Sequence, residues 1–338
     1  MPLDTSRVNA AFTQGDHLAR TWVRGDDTPM PAPKVDPKTI FTPREWNHLR
    51  QRDDVVSLCL VLHAWGLIGL AVAMFALLPN PITWVLAVMV VGARQLGLAI
   101  LMHEAAHGGL AKSQKLNDFI GNWLCGAPVG APLQLYRPYH LSHHRNTQQE
   151  DDPDLALAAH FPISKDSLNR KMIRDITGQT FYKQRIMGLA RFAFDGWKTA
   201  GPVRDATLAY LSANTLIFVL FAACGQAWAF AAIWLVAQAT WYPLVTRIRN
   251  IGEHACATPD AGDPWRLART THANWLERLM IAPYWVHFHA EHHLWMHIPC
   301  YRLEAAHNML AVKGLTARME VRSGYREILR LATAARTV

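Results

Sequence analysis

Residues 82–107 read ITWVLAVMVVGARQLGLAILMHEAAH, a long apolar run that ends in two histidines. Ile82 to Met102 is long enough to cross a bilayer core as a helix. The helix would then carry His103 and His107 out at i and i+4, on one face. Arg94 is the one charge inside the run. A charge there is costly, so it should face the bundle interior and meet a carboxylate, a carbonyl or water, holding helices together.

Upstream, Val55 to Leu78 is a charge-free apolar run of spanning length. Leu78-Pro79-Asn80-Pro81 joins the two runs as an uncharged turn. A second pair follows, Ala206 to Cys224 and Ala227 to Val245, joined at Gly225-Gln226. The expected fold is therefore all-α: four transmembrane helices (about 55–78, 82–102, 206–224 and 227–245) in two hairpins. Neither turn carries Lys or Arg, whereas Arg44, Arg50, Arg52, Arg247 and Arg249 flank the other ends. The positive-inside rule then puts the turns outside, and both polar ends in the cytoplasm of what would be a bacterial inner membrane.

The expected organisation is a cytoplasmic N-terminal arm at 1–53, a membrane domain at 54–310 and a cytoplasmic tail at 311–338. The arm is rich in Pro, Asp and Thr and reads as irregular up to about residue 40, without a basic-then-apolar leader. Thr42-Pro43-Arg44-Glu45 is a helix start, with Thr42 as N-cap. Phe119 to Leu135 is apolar but broken by Gly and Pro, which suits an interfacial or re-entrant segment. Trp275 to Trp285 suits a membrane-lying helix.

Composition agrees with a membrane chain. Of 338 residues 51% are apolar and only 18% charged, below the usual quarter of soluble domains. The net charge of +8 forms no recognition stripe, which excludes nucleic acid as a partner. Five cysteines show no C-x-x-C spacing, so neither a disulfide framework nor a Cys-held cluster is implied.

Histidine carries the chemistry. Beyond His103 and His107 come His140-Leu-Ser-His143-His144, His254, and His289-Ala-Glu-His292-His293. Adjacent histidines on a helix point about 100° apart, so each His-His pair can serve two ions. Nine imidazoles are too many for one ion and about right for two. Under the topology above all four groups fall on one membrane face, as a histidine-rich di-metal cap. Nitrogen-rich sites suit Fe, Zn, Cu or Ni rather than Mg or Ca. Iron is favoured because two irons can share the electrons of O2 activation.

These boxes resemble those of the integral-membrane fatty acid desaturase and hydroxylase superfamily. His103–His107, His140–His144 and His289–His293 match its three histidine boxes, and Gly252-Glu253-His254-Ala255 its additional histidine. Leu116-Asn117-Asp118, Asp151-Asp152-Pro153-Asp154, His293-Leu294 and Pro299 agree with the flanking text, and the likeness covers about residues 55–310. The resemblance implies a non-haem di-iron centre with His103, His107, His140, His143, His144, His254, His289, His292 and His293 as ligands. It also implies O2 as oxidant and a lipid acyl chain as substrate, lying among membrane lipids in an apolar tunnel. Electrons would come from a separate ferredoxin, rubredoxin or cytochrome b5-like donor. Arg145, Lys171 and Arg174 could attract an acidic partner.

Desaturation is the expected reaction, by family analogy. Hydroxylation of a lipid or other long apolar substrate at the same site is the alternative. His103-Glu104-x-x-His107 also reads as the H-E-x-x-H of a zinc intramembrane protease, with Glu104 as base, but that leaves seven clustered histidines without a purpose. A metal transporter or haem protein would place its site nearer the bilayer midplane.

Two departures from the family text are Glu104, where Asp is common, and His287, where many relatives carry Asn. His287 could tune a hydrogen bond near iron or add a ligand. Asp151, Asp152 and Asp154 either orient imidazoles or simply make a turn. His63 is expected to be structural. His17, His48, His160, His272, His297 and His307 are read as surface or interfacial, with His297 the closest to a supporting role.

Overall fold

The computed structural model describes residues 32–195, 198, 201–257 and 262–334. Most of the irregular arm, with His17, and the last residues of the tail lie outside them. Among the described residues four helices are long and apolar enough to cross a membrane. The first, α1 (Asp54–Leu77), starts where Asp53 accepts the Val55 and Val56 amides. At about 1.5 Å per residue, its length exceeds a hydrocarbon core of about 30 Å.

Ser57, Val61, Ala64, Ile68 and Ala71 form its buried stripe, at alternating steps of four and three. That spacing is the seam of a helix packed on one neighbour. The opposite face shows Leu62 at 59% and Leu70 at 66% exposure. Exposed apolar surface on that scale requires a non-aqueous surrounding.

The neighbour is α2 (Pro81–Ala106), capped by Asn80 and buried almost continuously from Val91 to Ala106. Gly92 lets it approach the fourth span, since a Cβ there would lie 2.8 Å from that of Trp241. Gln95 Nε2 donates to the Trp234 carbonyl at 2.9 Å, tying the same pair of helices. Arg94 meets a carbonyl, that of Leu279, and sits 5.7 Å from the Tyr284 ring centroid. His63 Nδ1 lies 3.1 Å from the Tyr284 hydroxyl, a packing role.

The helix carrying the second histidine box is α3 (Leu133–Asn146). Before it, Gln114 to Val129 winds as short helical turns with a π segment at Ile120–Gly126, closed by Gly130 in the left-handed region. Leu116, Phe119 and Trp123 point outward on this segment at helical spacing. The polar stretch beyond contains α4 (Lys165–Ile176). The remaining long helices are α5 (Gly201–Ala223) and α6 (Ala227–His254), the latter with a π turn at Phe230–Leu235.

The second helix continues out of its apolar run to Ala106, with His107 as C-cap, and the fourth runs on to His254. Two expectations are corrected. The segment 275–285 is not one helix. Helix is confined to Trp275–Met280, while Pro283 and the positive φ of Tyr284 (56°) and Trp285 (58°) turn the chain away. The cap is also not purely helical. Strands β1 (Arg269–Thr271) and β2 (Glu320–Arg322) pair in parallel, joining segments about fifty residues apart.

Candidate metal centre

The third box forms a short helix, α7 (His289–Leu294), bridged to β1 through Phe288 and Thr270. Beneath it runs α8 (Leu303–Val312). Glu291 is wholly buried between them: it accepts the Thr270 hydroxyl and lies 2.5 Å from His307 Nδ1. His307 is therefore not a surface residue but a buried partner of the third box, while His297 is exposed.

His254 at the end of α6 has its own support. Arg269, fully buried, donates to the Gly252 carbonyl at 3.1 Å and the Ala255 carbonyl at 2.8 Å. These are orphan carbonyls of a helix C-terminus, where a cation is favoured. The arm contributes as well, for Lys34 Nζ donates to the His144 carbonyl at 2.5 Å.

All nine histidines come together. His103, His107, His140, His144 and His292 each present a ring nitrogen, and these atoms lie within 4.8 Å of one another. His143, His254 and His293 form a second group, and His289 joins it through His254, with Nε2 atoms 3.0 Å apart. His143 and His144 thus serve different groups, as do His292 and His293, the split that helical geometry demands of neighbours. Glu253 stands with His254 and His289 as a further donor, and its Oε1 is 2.5 Å from Arg249 Nε. Only the histidine of that motif was singled out from sequence; an acid beside it is too common a signal.

The ring nitrogens test whether a metal fits. Nε2 of His140 lies 2.9 Å from that of His107, and Nε2 of His144 lies 3.0 Å from those of both His140 and His292. A neutral imidazole has one N–H, so these contacts cannot all be hydrogen bonds. Buried nitrogens aimed at each other are costly unless a cation lies between them. Burial also holds His140, His144, His289, His292 and His293 well below the usual imidazole pKa, and His107 down to about 3. The neutral form is the one that ligates. The residues fit a pair of nitrogen-preferring ions.

Outer contacts fix several rings. His143 Nδ1 is 2.7 Å from Asp152 and 3.8 Å from Asp154. Burial lowers the His143 pKa, but the Asp152 hydrogen bond and the charges of Asp154 and Asp152 outweigh it and raise it. Asp152 and Asp154 orient an imidazole, whereas Asp151 is exposed. His254 Nδ1 lies 3.2 Å from the Leu267 carbonyl and His293 Nδ1 3.2 Å from the Thr147 hydroxyl.

Glu104 accepts the Cys300 amide at 2.9 Å and sits 3.6 Å from His103 Nδ1. That commitment leaves it a supporting group rather than a free base. His287 is buried but joins neither group, and burial pushes its imidazole down to about 4.

Buried histidine clusters at the ends of membrane-length helices define a metal-using membrane protein. The sequence profile of the fatty acid desaturase family matches residues 79–323, and the chain belongs to that family, as an oxidoreductase enzyme. It is similar to dihydrorhizobitoxine desaturase of Bradyrhizobium elkanii, 24% identical over 65% of this chain and 66% of that one. Two Synechocystis proteins also match. The sn-1 oleoyl-lipid 12-desaturase is 25% identical over 68% of both chains. The sn-1 acyl-lipid omega-3 desaturase (ferredoxin) is 28% identical over 45% of this chain and 42% of its own. The chain spans about two thirds of the length of these relatives at most, and all three are named desaturases.

Proposed function

We propose that this enzyme is an O2-dependent desaturase of a lipid acyl chain, with two non-haem irons held by the nine histidines. The observation that carries the reading is the convergence of their ring nitrogens into two groups within a desaturase-family chain. His103, His107, His140, His144 and His292 would hold one ion. His143, His254, His289 and His293 would hold the other, with Glu253 beside it.

When bound, the irons supply the redox chemistry that activates O2. One O2, two electrons, two protons and two substrate hydrogens leave as two waters, and the substrate gains a double bond. The protein's part is positioning. Asp152, Thr147 and the Leu267 carbonyl set ring orientation and leave Nε2 free to ligate. Burial of the histidines excludes bulk water from the oxidising centre.

A cleft bounded by Tyr136, His140, His143, Leu157, Glu253 and His289 gives a substrate access to the imidazoles. Electrons would come from a separate donor such as a ferredoxin, rubredoxin or cytochrome b5-like protein. The ferredoxin in the name of one relative supports this. The exposed Arg145 and Arg174 offer it a basic docking face. The topology that goes with this reading is two hairpins in a bacterial inner membrane, with the metal centre and both termini cytoplasmic.

Lipid profiling by mass spectrometry, in cells with and without the protein, tests the reaction. A loss of two hydrogens from an acyl chain is the expected product. A gain of one oxygen would make the enzyme a hydroxylase of the same centre, and no lipid change would overturn the reading.

A further inference from the structure

Next to the metal-facing cleft lies a cavity of about 270 Å3, walled by α4, by the segment 179–186 and by α6. Its lining is charged: Lys171, Arg185 and Arg247 against a single carboxylate, Asp175. The Asp175 side chain is wholly buried, and Arg247 engages both of its oxygens, one at 2.9 Å from Nη2. Thr180 donates to the same carboxylate at 2.5 Å. That pair cancels, which leaves Lys171 and Arg185.

The Arg185 guanidinium gives Nη2 to the Gly130 carbonyl at 3.0 Å and lies 4.9 Å from the Tyr210 ring centroid. Neither partner neutralises it. Lys171 makes no hydrogen bond or ion pair among the described residues. Burial, with the neighbouring Arg247 and Arg174, pushes its ammonium below the usual lysine range. An anion that enters the cavity would meet two cations to which no carboxylate is bound, and would gain charge-assisted contacts from them.

The cavity adjoins the site. Leu157 and Asn250 line both the cavity and the cleft beside His140, His143, His254 and His289. An anionic group held by Lys171 would therefore sit one wall, that of Leu157 and Asn250, from the cleft beside the imidazoles.

We propose that this cavity is an anion subsite that holds the phosphate or carboxylate head of the substrate through Lys171 and Arg185, so that the part to be oxidised reaches the histidines. The proposal rests on the oxidase reading above and narrows its substrate to molecules with an anionic head.

Equilibrium binding to the full-length protein in neutral detergent tests it, with iron counted in every sample. Hexadecyl phosphate should bind at least about tenfold more tightly than hexadecanol, the worth of a charge-assisted contact. Lys171→Gln should erase that preference and Lys171→Arg restore it, with iron content unchanged; Arg185→Gln should weaken it in the same direction. Displacement by inorganic phosphate assigns the subsite to a free anion, and displacement only by alkyl phosphates to a lipid headgroup.

Equal affinity for the two probes, or a Lys171→Gln protein that keeps the preference, would overturn the subsite. A sample with two irons and no head preference refutes this inference alone. Head preference in a protein that neither holds iron nor alters lipids refutes the oxidase reading alone.

Discussion

In the four-histidine group three of the four ring nitrogens turned away from the centre have hydrogen-bond partners, and Nδ1 of His289 has none among the described residues. His143 meets Asp152, His254 a carbonyl and His293 a hydroxyl, while Glu253 stands 3.4 Å from His289. In the five-histidine group the Nδ1 atoms of His103, His107, His144 and His292 are buried without a hydrogen-bond partner among the described residues, that of His103 with Glu104 3.6 Å away. His140 alone has one, Tyr136 at 3.3 Å.

The two halves of the centre are thus held by different means. Hydrogen bonds fix ring orientation and raise ligand basicity in one, whereas packing and ligand number do so in the other. The cleft wall takes His143, His254 and His289 from the four-histidine group and His140 from the other.

The largest expected effect comes from removing one ligand on each side. His144→Ala and His293→Ala should each lower desaturation by more than about 100-fold, since outer-contact losses alone reach that size. Iron per chain should fall by about one in each variant. If one of them keeps both irons, the assignment of histidines to two separate groups is broken.

Metal removal comes next. Stripping iron with a chelator should lower Tm by at least about 5 °C, because binding to the native state alone stabilises it. An unchanged Tm in the stripped protein would mean that the imidazoles tolerate their mutual contacts without an ion.

Asp152→Asn sharpens the contrast. It should weaken metal binding about 10- to 100-fold in the four-histidine group and leave the other group filled. Titration of iron back into the stripped variant would read this as one tight and one weakened event. Two equally weakened events would abolish the distinction. The smallest effect is expected from Tyr136→Phe, which removes a neutral hydrogen bond worth about 1 kcal/mol and should cost less than about tenfold in activity.

Much of this molecule is legible in the chain. Apolar run length is a local property, so the four membrane-length helices could be read within a few residues of their starts. Helical spacing likewise allotted His143 and His144, or His292 and His293, to different directions. What spacing could not supply is pairing across distance. Arg269 capping α6, the β1–β2 ladder and the His307–Glu291 pair join segments whose sequences carry no mutual signal. The Arg247–Asp175 ion pair across α6 and α4 is another such pairing. The Trp275–Trp285 segment looked helical from its side chains, but its backbone turns at Pro283.

Metal counted per chain in protein purified without added metal tests the central claim most directly. Two irons per chain are predicted, falling toward one when either His144 or His293 is replaced. A single zinc, or one iron that both substitutions remove alike, would contradict a centre built from two groups of imidazoles.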